Sequence, residues 1–127
     1  MKKLLNAMAS STAAAIMTAS MSMADPVYMI AQIQIEDHEK YFDEYGAGVV
    51  PIILSAGGKI LVATANVENL EGEWSGNWTV VVEFPSEEAA LTDWYNSDAY
   101  VEVHKLRLAA SSATNMVVAP AFVAPGQ

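Results

Sequence analysis

The run WTVVVEF, from Trp78 to Phe84, sets three valines in a row inside a stretch of β-forming residues. Side chains alternate between the two faces of a strand, so a sheet with water on one side reads as apolar–polar alternation. Val80-Val81-Val82 breaks that alternation, and Ile60-Leu61-Val62 breaks it again in KILVATA, Lys59 to Ala65. A sheet built from these strands needs a cover on both faces.

The rest of the chain supplies a cover for one of them. VYMIAQIQI, Val27 to Ile35, reads as a first strand that ends in clean alternation of Gln and Ile. Asp37 is placed to cap a helix beginning HEKYFDEY, whose buried stripe at helical spacing is His38, Phe42, Tyr45, Val49 and Ile52. Gly46, Gly48 and Pro51 predict a kink or a break into two pieces, and Gly57-Gly58 a helix stop. NVENLEGEWSGN, Asn66 to Asn77, is a connection long enough to move or to cover a site. It ends in a glycosylation sequon, Asn77-Trp78-Thr79, that a strand context makes meaningless.

After Pro85, Ser86 with Glu87 and Glu88 marks a helix start, and Ser97-Asp98 a second cap that restarts the helix through Ala110. TNMVVA, Thr114 to Ala119, is the fourth strand. The order βαββαβ predicts an α+β, ferredoxin-like sandwich: a four-stranded antiparallel sheet with the helices on one face. No element remains for the other face. A second copy of the chain, sheet against sheet, is the simplest cover and predicts a homodimer.

Residues 1–24 stand apart. A basic start, Met1-Lys2-Lys3, runs into an apolar and small-residue stretch ending Ser22-Met23-Ala24, which predicts a signal peptide cleaved after Ala24 and a periplasmic or secreted protein. The stretch is too interrupted by Ser, Thr and Asn to span a bilayer, which takes about 20 mostly apolar residues. What remains, 25–127, is one domain with a core over 27–119 and a tail at 120–127. It holds 15 acidic side chains and only Lys40, Lys59, Lys105 and Arg107 as basic ones, a net charge of −11. That field argues against nucleic acid and against anionic membrane surfaces as partners. With no cysteine in the chain, an exported protein must hold together by packing alone.

Four motifs, EFPSEEAA, WYNSDAY, LRLAAS and ENLEG, together with KYFDEY followed by GGKILV, resemble a bacterial family of unknown function, domain-of-unknown-function family 1330. The resemblance runs from about Tyr28 to Val118. It implies a dimeric α+β barrel, similar in fold alone to cofactor-free monooxygenases, muconolactone isomerases and haem-handling proteins. It implies no catalytic role, since the family has no established activity. The family often carries Pro after the capping Asp where this chain has His38, and Pro there is a structural device.

Four groups bear on chemistry. Glu83, at the end of an apolar strand, reads either as a desolvated general base, or as an ion-pair partner of Arg107 or Lys105 or an acceptor for backbone N–H groups near the following helix start. Tyr100, His104 and Arg107 stand at i, i+4 and i+7 on one helix face. A phenol, an imidazole and a guanidinium so placed would grip a carboxylate or an enolate-like oxygen; as structure, they are a core stripe with polar tips in solvent, set against the helix dipole. His38, between Asp37 and Glu39, reads as a capped helix start rather than a metal ligand alongside His104. No metal and no cofactor is expected, and neither a Gly-x-Ser-x-Gly elbow nor a P-loop or dinucleotide fingerprint is present. Tyr41, Phe42, Tyr45, Trp94, Tyr95 and Tyr100 from the helices, with Trp78 and Phe84 from a strand, line a small-molecule pocket or fill the core. The expectation is a binder of a small, partly apolar molecule. As an enzyme it would use Glu83 as base and Arg107 with Tyr100 as an anion clamp; otherwise it is a non-catalytic binding or interaction protein.

Overall fold

A computed structural model describes residues 25–126, so the signal peptide expected over 1–24 lies outside the described residues. Four strands, β1 (Val27–Ile35), β2 (Lys59–Thr64), β3 (Trp78–Phe84) and β4 (Ser111–Pro120), form one sheet in the order β2-β3-β1-β4. Every pair is antiparallel, with β1 between β3 and β4. The helices follow β1 and β3, which makes the fold ferredoxin-like, as expected.

β1 alternates without a fault: Val27, Met29, Ala31, Ile33 and Ile35 are buried beneath the helices, and the residues between them are half-buried. Val82 and Phe84 of β3 join that core, where Phe84 stacks on Trp94 with ring centroids 5.4 Å apart. Burying a ring such as Phe84 contributes about 2 kcal/mol from the area removed from water.

Asp37 caps the first helical stretch, its Oδ1 accepting from the Lys40 amide at 3.0 Å. The stretch begins as a π-helical segment, Lys40–Gly46, and continues as an α-helix, α1 (Ala47–Ser55). The break expected from Gly46, Gly48 and Pro51 is therefore a change of pitch: Gly46 keeps helical angles (φ −58°, ψ −46°) and the chain never leaves the helix. Wider turns also move the buried stripe. Tyr41, Tyr45, Val49 and Ile53 are buried at a regular spacing of four, while His38 and Phe42 are exposed and Ile52 is half-buried. A 3.6-residue period misplaces that stripe because i→i+5 bonding adds residues to each turn. Gly48 has a packing role: a Cβ there would sit 3.1 Å from Val103 of the last helix.

Gly57 ends α1 with φ +83°, its amide bonding Leu54 O at 3.0 Å while Gly58 N bonds Ile53 O at 2.8 Å. These are the two bonds of a Schellman stop, which needs glycine at the left-handed position. The second half repeats the plan. Ser86 Oγ accepts from the Ala89 amide, a π-helical segment spans Ala89–Tyr95, and Ser97 caps α2 (Asp98–Ala110) by accepting from the Tyr100 amide. β4 starts at Ser111, three residues earlier than expected. A bulge at Gln34/Ile35 lets Ser111 and Ala113 pair with β1 directly off the helix end, which the low β-propensity of Ser-Ser-Ala conceals.

The sequon at Asn77 is structural. Its side-chain amide donates to Ile35 O at 3.0 Å and its oxygen accepts from Ile35 N at 2.7 Å, so both ends are committed to prolonging the ladder of β1. No helix among the described residues is long and apolar enough to cross a membrane.

Candidate functional site

The polar side chains that converge lie between α2, the first π-helical segment and the start of β4. The helical spacing of Tyr100, His104 and Arg107 brings the three together as expected. His104 stacks on Tyr100 at 5.2 Å with the rings 16° from parallel, and packs against Tyr95 at 5.5 Å. Tyr100 is fully buried and its hydroxyl shares a 2.7 Å hydrogen bond with the hydroxyl of Tyr45. Arg107 lies with its guanidinium carbon 5.9 Å from the centre of the Tyr45 ring, within range of a cation–π contact. Its Nη1 donates to Thr114 Oγ1 at 2.8 Å.

Arg107 is 3% exposed. A polar tip reaching solvent, the structural alternative for this stripe, is therefore wrong for Arg107 and for Tyr100. Both ion pairs among the described residues, Lys40–Glu44 and Lys105–Glu102, lie elsewhere on the surface. Two buried donors of this region have no acceptor: Arg107 Nε and Trp94 Nε1.

The electrostatics follow from that burial. Desolvation works against the charge on Arg107, but the hydroxyls of Tyr100 and Tyr45 outweigh it and hold the pKa above the ordinary arginine value. Burial first, and the Arg107 charge second, push His104 below its ordinary value. Burial, reinforced by Tyr100, drives the Tyr45 phenol far upward, and burial does the same to Tyr41 against the opposing pull of Arg107. The site therefore pairs a fixed cation with a neutral-leaning imidazole and with the Tyr41 and Tyr45 phenols, which keep their protons.

Two spaces flank the cluster. A cavity of about 140 Å³ lies between helices and sheet, lined almost wholly by apolar surface from Tyr41, Tyr45, Ile53, Trp78, Val80, Trp94 and their neighbours. A polar cleft of about 490 Å³ opens where α2 meets β4, lined by Tyr95, His104, Arg107, Ser111, Ser112 and Thr114. Met116 borders both.

Glu83 does not join them. Val82 and Phe84 point to the helices, so Glu83 points to the other face, where it accepts a 2.8 Å hydrogen bond from the Tyr28 hydroxyl. That bond, with burial behind it, raises the Tyr28 pKa. The ion pairs foreseen with Arg107 or Lys105 are not made, because the sheet stands between Glu83 and Arg107 and Lys105 pairs with Glu102. His38 sits on the first helical stretch near Phe42, 6.3 Å between ring centres, and away from the cluster. Among the described residues no three His, Asp or Glu side chains gather as metal ligands.

Sequence reasoning missed Tyr45 and Thr114 as members of the cluster. The Tyr41–Tyr45 spacing signals a helix face, but nothing local ties that face to Tyr100. Thr114 meets Arg107 only through the return of β4 along β1.

Solved structures share this fold. A protein of unknown function from Rhodopseudomonas palustris is 20% identical over 79% of this chain and 85% of its own, with a TM-score of 0.65. SnoaB, a cofactor-independent oxygenase from Streptomyces nogalater, is 13% identical over 82% of this chain and all of its own, at 0.56. A dimeric protein of unknown function and ferredoxin-like fold from Bacteroides fragilis is 14% identical over 75% and 95%, at 0.51. Identities this low establish the fold alone. No curated protein matches the sequence. The family is a different matter: residues 26–121 match the model described as Domain of unknown function (DUF1330), and the chain belongs to that family.

Proposed function

We propose that this is an exported, homodimeric protein that binds a small, partly apolar molecule between its helices and its sheet. The apolar cavity carries this reading. At about 140 Å³ it approaches the roughly 150 Å³ of an engineered dry cavity that accepts benzene, so it is the size of one aromatic ring. Its border with the polar cleft at Met116 suits a molecule with one apolar and one polar end, and a flexible thioether is a side chain that yields to a ligand.

If the bound molecule is turned over, Tyr100, His104 and Arg107 are the groups that would act. His104 is a proton carrier whose neutral form burial favours, and Arg107 with the tyrosine hydroxyls stabilises an enolate or phenolate oxygen. Cofactor-independent isomerisation, proton transfer or oxygenation of a small carbonyl or phenolic compound fits those groups, and the oxygenase with this fold supports it by analogy of fold. Glu83 is assigned instead to the interface between subunits. Its separation from the cluster favours a second reading, a non-catalytic carrier with the same pocket.

Native mass spectrometry of the full-length product recovered from its own host, in the periplasmic fraction, tests the proposal. The expected result is a dimer of chains beginning at Asp25 with a small molecule retained. A monomer still carrying residues 1–24, with no adduct and no uptake of toluene, overturns it.

A further inference from the structure

Arg107 poses a problem that the fold does not solve. A buried charge needs a partner of opposite sign or a full set of hydrogen bonds. The chain holds 15 carboxylates, yet none pairs with this arginine among the described residues. Among the described residues the guanidinium is met by neutral groups: the Tyr45 ring, the Thr114 hydroxyl and the hydroxyls of Tyr100 and Tyr45. Its Nε has no acceptor at all. With Nη1 held by Thr114, the free Nε lies on the edge from which arginine grips a carboxylate through two parallel N–H bonds.

The cleft that Arg107 lines contributes no carboxylate of its own to that edge. Ser111 donates its hydroxyl to Arg107 O, and Ser112 donates to Glu36 Oε2, an exposed carboxylate that makes no ion pair with Arg107. His104 brings no negative charge in either form. The second orphaned donor, Trp94 Nε1, belongs to the wall of the apolar cavity. The unsatisfied Nε of Arg107 asks for an oxygen that accepts.

We infer that Arg107 anchors the carboxylate of a ring-sized apolar acid, the acid group lying in the cleft and the ring in the cavity beyond Met116. This rests on the proposed binding of a small, partly apolar molecule and adds the charge of that molecule. It also accounts for a buried cation in a domain of net charge −11: the cation gives an anion one place to bind on a surface that otherwise repels it.

Titration calorimetry of the purified full-length product against benzoate, phenylacetate and 3-phenylpropionate, each beside its neutral amide, tests the anchor. Toluene serves as a probe of the cavity alone. The three acids vary the distance between ring and carboxylate, so the spacing from cavity to Arg107 need not be assumed. At least one acid should bind about tenfold or more tightly than its amide, a difference that rising salt diminishes. Arg107→Gln should erase that preference and leave toluene binding unchanged, while Arg107→Lys, which keeps the charge and loses the fork, should retain part of it. Acids no better than their amides, with toluene still bound, would overturn the anchor and leave the cavity reading standing. An acid preference that survives Arg107→Gln also overturns it. Binding of neither toluene nor any acid defeats both. Should Arg107→Gln fail to fold, the acid-to-amide ratio of the unaltered protein and its salt dependence decide the matter.

Discussion

Tyr45 and Tyr100 meet through one 2.7 Å hydrogen bond between residues 55 positions apart, in a region where neither hydroxyl reaches water. Removing one partner leaves the other hydroxyl buried and unsatisfied, which costs about 1–3 kcal/mol. Tyr45→Phe should therefore lower the unfolding free energy by that amount in urea titrations. Adding Tyr100→Phe should cost less than a second equal step, because the orphaned hydroxyl disappears with it. Additive losses would show that the two hydroxyls are not coupled. His104 supports a prediction in pH. Its pKa is lower in the folded protein than the ordinary 6.5, through burial and then Arg107, so the unfolded chain takes up a proton first as pH falls. Stability is complete above about 6.5 and declines as pH drops through that value toward the lower folded pKa. Melting temperature should fall between pH 7 and 5, and His104→Gln should flatten the slope; an unchanged slope would assign the loss to other groups. At this scale the sequence revealed Tyr100, His104 and Arg107 together, since helical periodicity alone aligns them. It misgrouped Glu83 because assigning a strand residue to a face is a matter of parity, and a run of three valines carries no parity signal.

The elements show where local pattern suffices. β1 and β3 begin and end where β-forming residues and Pro85 place them, and the Ser86 and Ser97 caps make the bonds their positions foretell. The two π-helical segments were not legible, because the residues of KYFDEYG and AALTDWY suit an α-helix equally well and only tertiary packing widens the turns. The β2–β3 connection has one tight point. Gly76 adopts φ +81°, and a Cβ on it would lie 2.6 Å from Ile33 O and 2.8 Å from Ile33 C, main-chain atoms of the central strand. Gly72 has a similar φ of +69° but open space around it. Alanine at Gly72 should cost only the left-handed penalty, about 1–2 kcal/mol. Alanine at Gly76 should cost clearly more and displace the connection. Trp74, whose indole donates to Thr79 Oγ1 at 2.9 Å, reports that displacement as a shift in fluorescence. Equal losses at the two glycines would mean that the connection does not rest on β1.

The whole molecule has one face that a single chain leaves bare. Register places Val62 opposite Val81, Val81 opposite Ile30, and Ile30 opposite Val117, an apolar row that crosses all four strands on the side away from the helices. Val62 and Val117 are exposed, and Leu70 of the β2–β3 connection is 86% exposed. The two-faced valines of β3 make this face legible in the sequence, although the strand order that turns separate residues into a row is not. Two polar groups of the face are already joined, Glu83 accepting from the Tyr28 hydroxyl, and Lys59 stands opposite Glu83 in register. A stable interface of ordinary size buries about 1,600 Å² in total, and a row of this length at its centre suits that scale. Ile30→Glu should place a carboxylate at the middle of it, and if the proposed dimer forms there, sedimentation velocity should find dimers of the unaltered protein and monomers of the variant. Salt separates this surface from the Arg107 cleft. Residues 25–127 carry a net charge of −11, so two copies repel each other and screening should tighten the proposed dimer, whereas the grip of Arg107 on an anion should weaken under the same screening. A dimer that loosens as salt rises would mean that charge pairing, rather than the apolar row, holds the subunits together.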